Sequence, residues 1–368
     1  MISFKFGIVL LLFTFFVWEE RKLGEISNII AGGDKNINKI KKYGKYPVIA
    51  NSINKNGIVG YYDNEYRVKA PAVTVTGRGE IGHAVARFQN FTPIVRLLAL
   101  SSKLDPIFLA NSINKIRFFN ESTGVPQLTK PQLSTYSIII PSVEEQNNIG
   151  KLILLIEKYI HLQQRKLKLL KVMKKALSQY MFCQETEFVP ILRFNSFSDK
   201  WKYERLKKLI IKEIKGKAKA DMKGTKSTYI DTALLNGGSI TKVDSPTDTF
   251  HNDIIILWDG SQAGKIYHGF TGALGSTLKS YKPKYSGGFL YQYLKSKEPI
   301  IFLRYRTPNI PHVVKDFTEI FKINVPSVKE QEKISKTLNY LDQSILVETK
   351  KIGSIKKIKK FLLQNMFI

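Results

Sequence analysis

The chain of 368 residues carries 58 Lys and Arg against 30 Asp and Glu, which gives a formal net charge of +28. Its length allows two or more domains with full cores. So basic a surface attracts polyanions, nucleic acid first among them, although a lysine-rich background composition would give part of the same charge. The single cysteine, Cys183, excludes an intrachain disulfide and a cysteine-ligated metal cluster, and it favours a cytoplasmic protein.

Residues 1–17 form an atypical apolar N-terminal segment. The apolar run from residue 7 to residue 18 is too short to span a bilayer, and it lacks the small-residue cleavage site of a signal peptide. Trp18 precedes Glu-Glu-Arg-Lys-Leu and Trp201 precedes Lys-Tyr-Glu-Arg-Leu, so the two tryptophans open corresponding segments. We therefore expect an altered start rather than a membrane anchor.

Two short apolar runs predict buried strands that end in turns. Residues 73–76 precede Gly77, and residues 254–258 precede the Asp-Gly pair at 259–260. Glycine and proline are frequent around both runs. The pattern predicts mixed α/β structure with irregular loops over residues 18–140 and again over residues 183–325.

A long helix is predicted after each of these regions, over residues 141–182 and 326–368. Each begins with Pro-Ser-Val-x-Glu-Gln after a strand-like run. In the first copy Ser142 is the expected cap, and Glu145 completes the capping-box pattern. The second copy repeats the first at an offset of 185 residues, with 16 identities between residues 141–182 and their counterparts. This is a duplicated module, for which we expect approximate two-fold symmetry.

Both helices carry an apolar residue in two slots of a seven-residue period. The interruptions coincide: Gln163 aligns with Glu348, and Lys174 aligns with Lys359. This pattern predicts an antiparallel coiled coil of specified register, each helix about 60 Å long, with independent amphipathic helices as the alternative. Gly353 is a weak point, costing about 1 kcal/mol relative to Ala. The predicted seam residues are Ile149, Ile153, Ile156, Ile160, Leu167, Leu170, Leu177, Met181, Ile334, Leu338, Leu341, Ile345, Ile352, Ile355, Leu362 and Met366.

The sequence carries no motif for catalysis. The Asn-Pro-Pro-aromatic and Asp-Pro-Pro-aromatic tetrapeptides of amino-methyltransferases are missing, and residues 260–265 have three intervening residues where a P-loop needs four. The five histidines show no metal-ligand spacing. The sequence therefore predicts a non-enzymatic protein with neither a metal nor a cofactor.

Binding motifs are more informative. Glycine loops at 76–82 and 258–267 hold corresponding places in the two halves, as do the polar turns at 123–128 and 308–313. Glycines allow close backbone approach and the neighbouring side chains suit phosphate or base contacts, whereas tight hairpins, packing turns or a solvated basic face are the alternatives. The candidate DNA-binding residues are Arg78, Gln127, Gln262, Lys265, Tyr267, Lys279, Tyr281, Lys282, Arg304, Arg306, Asn309 and His312.

Together these features resemble the specificity subunit of type I restriction–modification enzymes. The resemblance is carried by residues 18–26, 76–82, 258–265 with 272–277, and the two Pro-Ser-Val-x-Glu-Gln helix starts. It covers nearly everything after residue 17, and it departs from the family over residues 1–17.

The resemblance implies a function. Each half would be a target-recognition domain followed by a spacer helix, and the two domains would read the two halves of a split target on double-stranded DNA. Two methylase subunits and motor-nuclease subunits would assemble with the chain, and they would carry the adenine methyltransferase and endonuclease activities. Because the two domains differ in sequence, the target would be asymmetric. The alternative is a non-enzymatic coiled-coil adaptor that joins protein partners.

Overall fold

The structure is a computed structural model that describes residues 18–34, 36, 38–119, 124–184, 187–309 and 311–367. The expected altered start at residues 1–17 lies outside these ranges. Contacts divide the chain into two units, which we call unit 1 (Met1–Gln163 with Lys351–Ile368) and unit 2 (Gln164–Lys350).

In unit 1, the described residues form a two-stranded sheet (β1-β9), a four-stranded sheet (β2-β8-β5-β6) and a three-stranded sheet (β4-β3-β7). The predicted strand at residues 73–76 is β5, which is buried along its whole length between β8 and β6. The elements are β1 Glu19–Lys22, α1 Leu23–Ile26, β2 Ser27–Ala31, β3 Tyr46–Ile49, β4 Ile58–Tyr62, β5 Ala72–Thr76, β6 Ala84–Arg87, β7 Thr92–Pro93, β8 Leu97–Ser102, α2 Pro106–Ile113, α3 Lys130–Thr135, β9 Ser137–Ile140 and α4 Val143–Tyr180, which continues into unit 2.

In unit 2, the described residues repeat this topology, with sheets β10-β18, β11-β17-β14-β15 and β13-β12-β16. The predicted strand at 254–258 is β14, and its four residues are buried. The elements are β10 Lys202–Arg205, β11 Ile210–Lys215, β12 Lys223–Ile230, α5 Thr232–Leu235, β13 Lys242–Val243, β14 Ile254–Leu257, β15 Ile266–His268, β16 Ala273–Leu274, β17 Leu278–Pro283, α6 Gly287–Ser296, α7 Glu298–Arg304, α8 Phe317–Ile320, β18 Lys322–Val325 and α9 Val328–Asn365, which ends in unit 1. The predicted fold class, two mixed domains with two long helices, is confirmed.

Both long helices begin in the same way. The Ser142 Oγ accepts a hydrogen bond from the Glu145 amide at 3.3 Å, and the Gln146 side chain donates to the Pro141 carbonyl at 2.9 Å. The second copy forms the same two bonds at 3.4 and 3.0 Å. The serine bond satisfies a backbone amide that the first helical turn would otherwise leave without a partner, and the glutamine bond satisfies the proline carbonyl that precedes the helix.

The predicted capping box is only half formed. The serine hydroxyl accepts its bond, but the reciprocal bond, in which the glutamate carboxylate would accept from the serine amide, is not among the described contacts. In the second copy the Glu330 carboxylate instead receives two bonds from the Arg193 guanidinium, both at 2.8 Å. A bidentate arginine is a stronger partner for a carboxylate than a single backbone amide, so it takes the side chain away from the cap.

Within unit 1, the start of α4 packs antiparallel against the end of α9. Ile149 and Ile153 share a buried cluster with Leu363 and Phe367. Further along α4, Glu157 pairs with Lys359, which lies before these residues on α9, so the two helices run antiparallel. The end of α9 also reaches α2, because Phe367 stacks on Phe108 with ring centroids 5.5 Å apart.

Within unit 2, the end of α4 packs in the same way against the start of α9. Leu177 and Met181 join a core that contains Ile334 and Leu338. Phe182, just beyond α4, contacts Phe289 of α6 with ring centroids 5.9 Å apart. Each unit therefore receives the end of one long helix into its core.

The polar interruptions of the seam have partners on the opposite helix. Lys359 pairs with Glu157 in unit 1 at 2.7 Å, and Lys174 pairs with Asp342 in unit 2. Lys174 corresponds to Lys359 at the offset of 185, and Glu157 corresponds to Asp342. The two ion pairs are therefore equivalent under the internal repeat. Each long helix thus contributes a lysine to one pair and an acid to the other.

All of the predicted seam residues are buried or half-buried. Among the other seam interruptions, Glu348 in unit 2 is buried and accepts a bond from Lys166, while its Oε2 has no partner among the described residues. Buried polar groups of this kind specify register at a cost in stability.

Candidate nucleic-acid interface

The glycine loop of unit 1 is a tight hairpin between β5 and β6. The Thr76 amide donates to the His83 carbonyl at 3.1 Å, and the Gly82 amide donates to the Thr76 carbonyl at 2.8 Å. Gly82 has a φ of 84°, and a Cβ there would overlap the Phe118 ring. At Gly77 a Cβ would meet the Arg96 carbonyl oxygen at 2.4 Å. Both positions therefore need glycine for close approach.

This loop pairs with the polar turn at residues 124–128. The Gly79 amide donates to the Pro126 carbonyl and the Leu128 amide donates to the Gly77 carbonyl, both at 2.9 Å. Arg78 and Gln127 are bridge partners between these bonds, and both are exposed. Two residues predicted from separate motifs thus lie side by side where the glycine loop meets the polar turn.

Unit 2 repeats the arrangement with different side chains. The Gly260 amide donates to the Pro311 carbonyl at 2.9 Å, and the Val313 amide donates to the Trp258 carbonyl at 3.0 Å. The bridge partners here are Asp259 and His312. The backbone frame is shared, but Arg–Gln is replaced by Asp–His.

Several predicted residues of unit 2 gather at the tip of this loop. The Lys265 ammonium donates to the Gln262 side chain at 2.7 Å, and Arg306 donates to the Ser261 carbonyl at 3.1 Å. Asn309 is exposed on the turn that ends at His312. Arg304 is exposed at the end of α7, while Tyr267 is half-buried and its hydroxyl lies 3.4 Å from the Asn236 side chain.

The predicted DNA-binding residues on β17 do not lie beside the glycine loop and polar turn of unit 2. Tyr281 is wrong as a DNA contact because its side chain is 0% exposed, in the core between β11 and β14. Lys279 is mostly buried, pairs with Glu213 at 2.5 Å and lies over the Trp258 ring at 3.4 Å, so its charge is already engaged. Lys282 is exposed, opposite Lys212 of β11.

Sequence reasoning missed three residues of unit 1 beside the glycine loop. The Asn51 side chain accepts from the Gly77 amide at 2.7 Å and donates to the Arg78 carbonyl at 2.8 Å, so it holds the loop from the side. Arg87 is half-buried, and burial lowers its pKa to about 10. Arg96 is exposed with a φ of 70°. In the sequence, the amide-rich run Asn-Ser-Ile-Asn-Lys-Asn-Gly at 51–57 indicates a polar turn that contains Asn51.

The Arg87 guanidinium has a neutral partner only. Its Nε donates to the Thr74 hydroxyl at 2.9 Å, and no acidic side chain pairs with it in the part of the chain that the structure describes. A half-buried cation without a counter-charge makes the surrounding cleft attractive to an anion or to the acceptor atoms of a base.

The chain belongs to the type I restriction modification DNA specificity domain family, whose model matches residues 17–172 and 198–357. It is 34% identical over 168 residues to the type I restriction enzyme MjaVIII specificity subunit of Methanocaldococcus jannaschii, covering 43% of this chain and 40% of that protein. It is 30% identical over 146 residues to the putative type I specificity subunit S.MpnORF89P of Mycoplasma pneumoniae, covering 37% of this chain and 43% of that protein. Each match thus spans less than half of the relative's length. The predicted resemblance is confirmed.

The fold also matches a solved structure, the S subunit of a type I restriction–modification system from M. genitalium. The TM-score is 0.72 at 17% identity, and the match covers 97% of this chain and 98% of that one. Among the described residues, no helix is long and apolar enough to cross a membrane, and no group of three or more His, Cys, Asp or Glu side chains could hold a metal ion.

Proposed function

We propose that the chain is the non-catalytic, DNA-reading subunit of a cytoplasmic type I restriction–modification complex, and that it reads a bipartite, asymmetric target on double-stranded DNA. One observation carries the proposal: the same backbone frame occurs once in each unit and presents different side chains. The same backbone hydrogen bonds hold the glycine loop against the polar turn in each unit, so the two pairs of bridge residues occupy equivalent positions. Because these pairs carry different donors and acceptors, they select different bases. The two half-sites therefore differ.

The side chains on each edge suit base recognition. Arginine makes two hydrogen bonds to guanine, and glutamine makes two to adenine, so Arg78 and Gln127 fit the major-groove edge of these bases. Asp259 is suited to accept from the amino group of cytosine, and His312 can donate or accept. The net charge of +28 supplies the attraction to phosphates that holds such a protein on DNA.

The long helices are proposed to set the gap between half-sites and to bind two methylase subunits, with motor-nuclease subunits joining the complex. An exposed apolar stripe supports this. Leu155 and Leu162 in unit 1 are 63% and 59% exposed, and their counterparts Tyr340 and Val347 in unit 2 are 73% and 59% exposed. Apolar residues repeated on the outer faces of helices indicate a covered surface. Since the stripe is duplicated, two copies of one partner fit it.

DNA protection by the chain assembled with its methylase partner tests the proposal. A split sequence should be protected, and the observed affinity should fall steeply as salt rises, because several phosphate contacts release counterions. Binding to random DNA without site preference at physiological salt would contradict the proposal. Tight protein complexes that survive nuclease treatment without any DNA protection would instead favour the adaptor function.

A further inference from the structure

Backbone strain concentrates around one cleft of unit 1. Among the described residues, the non-glycine residues with positive φ are Lys55 (50°), Asn56 (55°) and Arg96 (70°). Left-handed backbone at a side-chain-bearing residue costs free energy that neighbouring contacts must supply, and such residues cluster at functional sites. Arg96 places its carbonyl against Gly77, so all three positions adjoin the glycine loop or the segment that supports it.

That segment is residues 51–57, which we call the amide turn. The Ala50 amide donates to the Gly57 carbonyl at 2.8 Å and closes the turn at its base. Asn51 fastens the turn to the glycine loop through its two side-chain bonds. Asn54 and Asn56 lie exposed between these anchors. The turn is therefore held at its base and presents its amides outward.

The amide turn and the glycine loop face each other across a cleft. A cavity of about 390 Å³ is lined by residues 51–54 on one side and by Thr76, Arg78 and Glu80 on the other. A second cavity continues from it past Asn56 to Arg87. The side chains of Asn54, Asn56 and Arg78 make no hydrogen bond to any described residue. The cleft thus offers free amide donors and acceptors beside two guanidinium groups.

Unit 2 is built differently at this place. The Gly275 amide donates to the Ile230 carbonyl at 2.8 Å, as the Ile94 amide donates to the Ile49 carbonyl at 2.9 Å in unit 1. After that shared bond, unit 2 continues into helix α5, capped by Asp231, instead of an amide turn. Within its described residues no non-glycine φ is positive. The strained cleft is a feature of unit 1.

We propose that this cleft receives base edges of the first half-site, with Asn54, Asn56 and Arg78 as its specificity-determining residues. The inference rests on the proposed function and deepens it. Base edges fit better than phosphates because amides carry both a donor and an acceptor, and pair with adenine through two bonds, whereas phosphates present acceptors alone. Arg87 adds positive charge in the second cavity, which shares Ser52, Ile53 and Thr76 with the first. Strained residues persist where they aim particular side chains, here the two asparagines.

The test replaces the asparagines in the whole chain, assembled with its methylase partner, and sequences methylated adenines. Asn54→Ala and Asn56→Ala should each relax discrimination at one or two base positions of one half-site by about tenfold, since a good bidentate contact discriminates by this order. The other half-site and the gap should be unchanged. Asn64→Ala, an exposed asparagine of unit 1 outside the cleft, is the matched control and should keep the whole motif.

A second variant distinguishes a loss of base recognition from a loss of stability. Asn56→Gly removes the left-handed strain and should raise the melting temperature while still relaxing the same half-site. A more stable Asn56→Gly chain with an unchanged motif would overturn the inference, as would alanine variants that keep both half-sites. If either result is found but the wild-type complex still methylates a split motif, the inference about the cleft is wrong and the proposed function is still supported. A wild-type complex without a split motif would contradict the proposed function itself.

Discussion

The Arg193–Glu330 pair joins the segment before Trp201 to the start of α9. The Arg193 and Glu330 side chains are 11% and 1% exposed, with two bonds of 2.8 Å between them. The same guanidinium also donates to the Asp199 carbonyl at 2.7 Å. Arg193→Met removes all three bonds and leaves a buried carboxylate without its counter-charge.

The expected loss of unfolding free energy is about 3 kcal/mol. Breaking a buried pair by removing one partner costs about 3–5 kcal/mol, and the lower end applies because Arg193 keeps a small exposed edge. For a unit of this size the midpoint of thermal unfolding should fall by roughly 6–12 °C. The second variant, Arg193→Met with Glu330→Gln, should recover part of the loss because the uncompensated charge is gone.

Thermal and urea unfolding followed by circular dichroism measure both effects. Arg21→Met is the matched control, because Arg21 pairs with Glu19 and Glu25 in an exposed position where solvent screens the interaction. Its midpoint should not change measurably. A loss below about 1 kcal/mol for Arg193→Met, or no recovery in the double variant, would refute the assignment of a large electrostatic contribution to this pair.

Four other variants test stability and assembly. Gly353→Ala should raise the unfolding free energy by about 1 kcal/mol, because its new Cβ enters open space in a continuous helix; an unchanged urea midpoint would contradict this. Burial lowers the pKa of His268 from 6.5 to about 4. As the pH falls, the unfolded chain therefore binds the proton before the folded chain does, and the unfolding free energy should fall between pH 6.5 and pH 4. His268→Phe keeps a ring against Tyr291 and should flatten that pH dependence in unfolding titrations; an unaltered profile would exclude this histidine. Leu155→Glu or Tyr340→Glu should each remove one methylase copy from the complex as weighed by mass photometry, and retention of both copies would exclude the stripe as the docking surface.

The long helices could be predicted because their signal is local and periodic. A seven-residue apolar period and a cap residue are visible in sequence, so the seam was placed residue by residue. The aligned lysines Lys174 and Lys359 were recognised as interruptions. Their acidic partners were not, because Asp342 and Glu157 sit on the opposite helix, and only the pairing register brings them within reach.

The candidate interface was predictable only in part. Glycine loops and polar turns could be recognised separately, but the bridge between Arg78 and Gln127 depends on tertiary pairing across residues that are far apart in sequence. Tyr281 was misplaced because interleaved cations and aromatics do not reveal that a strand is covered on both faces. Tyr281 and Lys279 share one face of β17, and the other face is buried at Leu278 and Ser280 and exposed at Lys282.

Sequencing methylated adenines in DNA from cells that carry this chain and its methylase partner tests the central claim most directly. The account predicts one split motif with two different halves and a fixed gap between them. Methylation at a single contiguous site, at a palindrome with identical halves, or at no consistent sequence would contradict it.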